Sequence, residues 1–235
     1  MKTISLFITI LLFIACQNTE QKDKSEDRSS EQQAQNEDVQ QKENDFQPSA
    51  GGYYIYSNIS ADESTTNLLN SIDNNKNLGL VAHFQHHEMA ASKGLALEKT
   101  HAVFFGNPQL GTPLIQKDQL IALDLPQKII LFDQGENSYL YRLSTSYLAD
   151  RYSVNSSVLS TMTGAIDGLS QKIANNQDRN MKAPEIEQHE GIFVQKSNKT
   201  FADAVESIRD KIKKAESINI MAELDHRENA ASVDK

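Results

Sequence analysis

The feature that most constrains this chain is a break in composition at residue 50. From Gln17 to Ala50 the sequence is Gln, Glu, Asp, Lys, Asn and Ser, with Val39 and Phe46 almost its only large apolar residues. Such a segment cannot offset the entropy of ordering by burying surface, so any core must come from residue 51 onward. Residues 17–50 therefore read as a disordered acidic tether with a mean reach of about 30 Å on random-coil scaling. It holds nine acids against four bases, so five of the nine formal negative charges sit outside the folding part. The remainder is only mildly acidic. Without a basic stripe or basic–aromatic interleaving, there is no electrostatic footing for nucleic-acid binding or for direct adsorption to anionic lipid.

Ahead of the tether stands MKTISLFITILLFIAC. One lysine precedes a mainly apolar run from Ile4 to Ala15, too short to span a bilayer, in the layout of a secretory signal peptide. Phe13-Ile14-Ala15-Cys16 resembles a bacterial lipobox, which implies export, acylation of Cys16 by palmitate-type chains and anchoring in the cell-envelope membrane; the alternative is a plain signal peptide cut near Ala15 that leaves a free thiol. Phenylalanine stands where leucine is usual. Cys16 is the only cysteine, so no intramolecular disulfide can form.

The 185 residues from 51 to 235 can bury one core or a core and a half. The aromatic and β-branched stretch 53–59 predicts a strand. ADESTTNLLNSIDNN, with acids early and Leu68, Leu69 and Ile72 on one side, predicts an amphipathic helix. LGLVAHFQ alternates as a half-buried strand, with Leu78, Leu80, Ala82 and Phe84 on one face and Val81, His83 and Gln85 on the other. HHEMAASKGLAL predicts a short helix ended by Gly94. THAVFFGN predicts a further strand, and PQLGTPLIQ a helical or turn-rich connection. QKIILFDQ and SYLYRLST flank Gly135-Glu136-Asn137 as a hairpin, and SYLADRY and SVLSTMTGAIDGLSQKIANN carry helical periods. The expected fold class is α+β: a mostly antiparallel sheet with helices on one face, spanning 51–177.

After a linker at 178–190, residues 191–235 retrace the order of the first unit as strand, helix, alternating strand and short helix. Ser207-Ile208 answers Ser71-Ile72 at an offset of 136, and His226 with Ala230-Ala231-Ser232 answers His86 with Ala90-Ala91-Ser92 at an offset of 140. Thr200 with Asp203 is close to a capping box, and Phe201, Ala204, Val205, Ile208 and Ile212 form one apolar stripe. This partial second unit leaves a sheet face uncovered, so it is expected to dock on the first unit or to meet a partner.

Phe105-Gly106-Asn107-Pro108, Gly111-Thr112-Pro113, Leu123-Asp124-Leu125-Pro126 and Asp225-His226 with its trailing alanines resemble, in that order, the bacterial family called domain of unknown function 302, also described as TT1751-like. The resemblance runs along 53–177 and through the first half of the second unit. It implies a small α+β domain that pairs as a homodimer, and it implies no established activity. Gln85 stands where the family has an aspartate before the histidine.

The candidate ligand site is His86, Gly106, Asn107, Gly111, Thr112, Asp124 and His226. Turn chemistry accounts for the loop: Asn107 is a good N-cap, Pro108 suits the first helical position, and Gly106 and Gly111 permit turns. The functional alternative has the amides of Gly106, Asn107 and Gly111 converging on an anion or carbonyl oxygen. His86 is the histidine that recurs in the repeat, with either a packing role or a proton-transfer role with Asp124. His83, His86 and His87, with Glu88 beside them, open a metal- or haem-handling alternative; yet the repeat sets Glu223 and Arg227 opposite His83 and His87. No catalytic residues, metal ligands or cofactor are assigned. The expected role is a lipid-anchored binding or interaction module, with the second unit as a possible protein-docking surface.

Overall fold

The computed structural model describes residues 50–155, 157–178, 180–182, 184–215 and 218–233. The signal segment, Cys16 and the tether lie outside them. Six strands form one sheet: β1 (Gly52–Ser57), β2 (Gly79–Gln85), β3 (Thr100–Gly106), β4 (Gln127–Gln134), β5 (Asn137–Leu143) and the two-residue β6 (Asn180–Met181). The order is β2-β3-β4-β5-β1-β6, every neighbouring pair antiparallel. The helices are α1 (Ala61–Asp73), α2 (His86–Ala91), α3 (Pro108–Lys117), α4 (Thr145–Tyr152), α5 (Ser157–Ala174), α6 (Phe201–Lys214) and α7 (His226–Ala231), with a 3₁₀ turn at Gln119–Leu123. This is the expected α+β architecture. No helix among the described residues is long and apolar enough to cross a membrane.

Local chemistry sets the boundaries. Ser60 caps α1 by accepting from the Glu63 amide at 3.2 Å, and the Asn74 side chain donates to the Asn70 carbonyl at 2.8 Å at the other end. Between them Ala61, Leu68 and Ile72 turn toward the sheet and meet Val103, Phe105, Ile129 and Leu131. α5 lays Ile166 and Ile173 on the same face. Each fully buried aliphatic side chain there contributes about 1.5–3 kcal/mol relative to exposure. The β4–β5 turn is two residues long, because Asn137 already pairs with Gln134, and Gly135 supplies its positive φ of 61°. A second apolar cluster forms beyond the sheet, where Leu114, Ile121, Leu125, Leu148, Tyr152 and Met162 join α3, the 3₁₀ turn, α4 and α5.

Arg142 is buried on the helix-covered face at 1% exposure. Its guanidinium lies 3.8 Å from the centre of the Tyr53 ring, donates to Ser170 Oγ and the Leu143 carbonyl, both at 3.1 Å, and pairs with Asp167.

Two expectations change. The register of β2 shifts between Leu80 and Ala82, which breaks the simple alternation: Leu80 is exposed, and Val81 through Gln85 are all half-buried. In the second unit the helices form as α6 and α7, but 191–200 and 218–225 contain no strand. A strand needs a neighbour for its backbone groups, and among the described residues these two segments pair with none. α7 instead packs against α3. The end of the linker docks on α4, with the His189 amide donating to the Arg151 carbonyl at 2.7 Å.

Candidate functional site

β3 ends at Gly106, and the chain turns there into α3. Asn107 Oδ1 accepts from the Gln109 amide at 2.9 Å and Pro108 occupies the first helical position, so the turn chemistry read from sequence is realised. The Gly111 amide donates to the Asn107 carbonyl at 2.9 Å. It is committed to the helix and does not join Gly106 and Asn107 in an anion cradle. The glycine at 106 also admits Pro126: a Cβ there would lie 3.1 Å from the Pro126 Cβ.

Around this corner runs a cleft in two adjoining parts. The larger, about 1020 Å³, lies between the C-terminal half of α1 and the floor made by Phe105, Leu110, Met162 and Leu169. One wall presents Asn67 and Asn70 of α1 with Asn74 and Asn75 just past its end, and Lys76 and Lys172 are the charged lining residues. The smaller, about 330 Å³, is bounded by α3 and by His226 and Asn229 of α7. Gly106, Asn107, Gln127 and Met162 line both parts. Of the candidate ligand residues, Gly106, Asn107, Gly111, Thr112 and His226 are thus brought together on one cleft.

His86 and Asp124 are placed elsewhere. His86 is exposed and opens α2 at the far end of β2. The residue before it, Gln85, makes no side-chain cap, whereas Asp225, before His226, accepts from the Arg227 and Glu228 amides at 2.8 and 3.3 Å. Asp124 Oδ2 accepts from Arg151 Nη1 at 2.9 Å and from the Tyr152 hydroxyl at 2.7 Å. Burial, then the bond to Asp124, holds the Tyr152 hydroxyl well above its ordinary pKa. Asp124 thereby ties the 3₁₀ turn to α4. No hydrogen bond or ion pair among the described residues joins it to His86.

A second chemical cluster sits at the other end of the β2–β3 hairpin. His101 is 3% exposed; its Nε2 lies 2.7 Å from Asp62 Oδ1 in the first turn of α1, and its Nδ1 lies 3.0 Å from His83 Nε2. The buried His87 ring meets His101 edge to face at 4.9 Å. Its Nδ1 accepts from the Thr100 amide at 3.2 Å and lies equally close to the Thr100 carbonyl oxygen, and its Nε2 is 3.4 Å from Lys99 Nζ. Lys99 Nζ is also 3.3 Å from Asp62 Oδ2. Burial raises the Asp62 pKa, but hydrogen bonds from His101 and Lys99 outweigh it and leave the carboxyl below its ordinary range. Burial pushes the His83 imidazole down, reinforced by His101 and His87 against Glu88. Three ligating atoms, from Asp62, His87 and His101, lie within 4.8 Å of one another. Two members of the sequence trio, His83 and His87, belong to this cluster, and His86 does not. Asp62, Lys99 and His101 went unread. The available signal was the pairing of two adjacent predicted strands, which sets Gln85 opposite His101 and so places His83 diagonally beside it.

A helix-covered antiparallel sheet with an amide-walled cleft at one end defines a small α+β domain. The sequence profile of the family described as "Domain of unknown function DUF302" matches residues 53–172, and the chain belongs to that family. A solved structure described as an uncharacterized conserved DUF302 protein from Bacillus stearothermophilus is 16% identical. It covers 54% of this chain and 98% of its own length, with a TM-score of 0.44. Among curated proteins, "Fluoride-specific ion channel FluC 1" from Brucella suis biovar 1 is 38% identical over 66 residues, 28% of this chain and 26% of that protein. The same name in Brucella abortus biovar 1 matches at 38% over 66 residues and 24% of its length. The chain thus spans about a quarter of these curated relatives.

Proposed function

We propose that this chain is a lipid-anchored protein of the bacterial cell envelope that binds a small, neutral, polar ligand in the cleft around Gly106 and Asn107. The observation that carries the reading is the pairing of an asparagine wall at the C-terminal end of α1 with an apolar floor in one cavity of about 1020 Å³. Ligand sites are typically concave, largely apolar and fitted with a few placed polar groups. Side-chain amides offer both donors and acceptors without charge, which matches hydroxyl- and amide-bearing groups better than ionised ones. Lys76 and Lys172 leave room for a single weak acid at the rim. No bond-making role is assigned to the site.

Amide NMR of the full chain titrated with N-acetylated disaccharides and with neutral dipeptides tests the ligand class. Shifts centred on Asn70, Asn107 and His226, lost in Asn70→Ala, support it. Shifts absent with both probes, or confined to α2, refute it. The anchor is tested separately by metabolic labelling with a palmitate analogue. Cys16→Ser should lose the label and release the protein from membranes; label retained in that variant removes the anchor from the reading.

A further inference from the structure

The histidine cluster lies away from the ligand cleft. His101 and Gly106 are the second and last residues of β3, which places them roughly 17 Å apart at the rise of an extended strand. The cluster brings two buried imidazoles, a carboxylate and an ammonium into contact with one another.

We propose that Asp62, His87 and His101 form a binding site for a first-row divalent transition-metal ion, with the Lys99 ammonium as its built-in competitor. His101 Nε2 and Asp62 Oδ1 already sit 2.7 Å apart, and the His87 ligating atom completes a set within 4.8 Å. A tetrahedral ion with bonds of about 2.0–2.1 Å holds its ligands roughly 3.3 Å apart, so small side-chain rotations close the set. The backbone does not have to move.

The outer contacts fit the same assignment. A ligating histidine ordinarily donates its second ring N–H to a fixed partner, which sets the tautomer. His101 Nδ1 has His83 Nε2 at 3.0 Å, and His87 Nδ1 faces both the carbonyl and the amide of Thr100, each at 3.2 Å. The His101 ring can therefore present Nε2 as the ligating atom, whereas His87 must give up the amide contact at Nδ1, and move its proton there, for its Nε2 to bind the ion. Two imidazole nitrogens with one carboxylate oxygen suit zinc, cobalt, nickel or copper, whereas magnesium and calcium favour all-oxygen sets. Three protein ligands leave a fourth position, on the side where Asp62 is exposed.

Lys99 ties the carboxylate and an imidazole of the cluster together. Its Nζ lies 3.3 Å from Asp62 Oδ2 and 3.4 Å from His87 Nε2, bridging two of the proposed ligands as a monovalent cation. The side chain is about half exposed, so it can swing into solvent when a divalent ion enters. Binding must displace it, and a metal in this site would otherwise face a like charge at short range. Removing the ammonium should therefore tighten binding, an effect that no general destabilisation would produce.

The test is cobalt titration of the metal-stripped full chain, read by visible absorption. Occupancy by one ion should give the intense bands of four-coordinate cobalt, displaced by zinc. His87→Ala and His101→Ala should lose the bands, and His83→Ala should weaken binding about 10–100-fold as an outer-contact loss. Lys99→Met should tighten binding roughly fivefold, the scale of an exposed ion pair. His86→Ala should bind as the parent does. Absence of the bands in the parent, or bands retained in His87→Ala or His101→Ala, overturns the proposal. If both histidine variants lose their far-ultraviolet circular dichroism, Lys99→Met decides alone: unchanged or weaker binding refutes the site.

Discussion

Asp167→Ala should cost far more stability than a partly exposed surface carboxylate ordinarily would, because of what it leaves behind. Its partner Arg142 is 1% exposed, and burial works against the charged guanidinium, with Asp167 the foremost opposing influence. After the substitution the cation keeps Ser170 Oγ, the Leu143 carbonyl and the face of Tyr53, but no counter-charge at Asp167. Breaking a buried pair in this way costs about 3–5 kcal/mol, whereas replacing the whole pair with apolar groups is often nearly neutral. For a chain of this size each kcal/mol is worth about 2–4 °C, so Asp167→Ala should melt roughly 6–20 °C below the parent. Arg142→Met in the same background removes the orphaned charge and should recover much of the loss. Thermal unfolding of the parent, both single variants and the double variant gives the coupling directly. A loss below about 1 kcal/mol for Asp167→Ala, or a double variant as unstable as the sum of the singles, would show that the cation is not held by this pair.

A pH prediction follows from Asp118, whose carboxylate caps the 3₁₀ turn through the Leu120 amide at 2.9 Å and accepts from His189 Nε2 at 2.6 Å. Burial raises its pKa, but the His189 and Leu120 hydrogen bonds outweigh that and hold it below the ordinary aspartate value. A depressed folded pKa means the stabilisation is complete above the unfolded value, about 3.9, and is lost as pH falls through the folded one. Urea midpoints of the parent should therefore fall below about pH 4 more steeply than those of Asp118→Asn; parallel curves would dismiss the contribution.

How much of this was legible in the sequence depended on the range of the interactions. Helix starts are local and were readable: Asn107 before Pro108, Thr200 before Asp203, and Asp225 before His226 each cap as their chemistry dictates. The hairpin at Gly135 is equally local. The segments 191–197 and 218–224 carry strand-like residues, yet stay irregular while α6 and α7 between and after them form. A helix satisfies its own backbone hydrogen bonds, but a strand depends on an edge that local sequence cannot supply. The bulge at Leu80 is another non-local outcome, because it shows only when β2 is aligned against β3.

The candidate sites divide along the same line. Gly106, Asn107, Gly111 and Thr112 sit within seven residues of sequence and line one cleft. His226, which the repeat singles out, is carried by α7 to that same cleft. The pairing of His86 with Asp124 fails for a geometric reason: His86 follows β2 at the end away from the cleft, while Asp124 is engaged by Arg151 and Tyr152 on α4. The histidine cluster is the opposite case. His83 and His87 drew attention by proximity in sequence, but their grouping depends on His101 across a strand pair and on Asp62 across the helix–sheet interface. Sequence spacing placed His86 between them. The turn from β2 into α2 sends its ring outward to solvent and turns His87 inward, which selects two of the three neighbours and recruits the partners that spacing could not name.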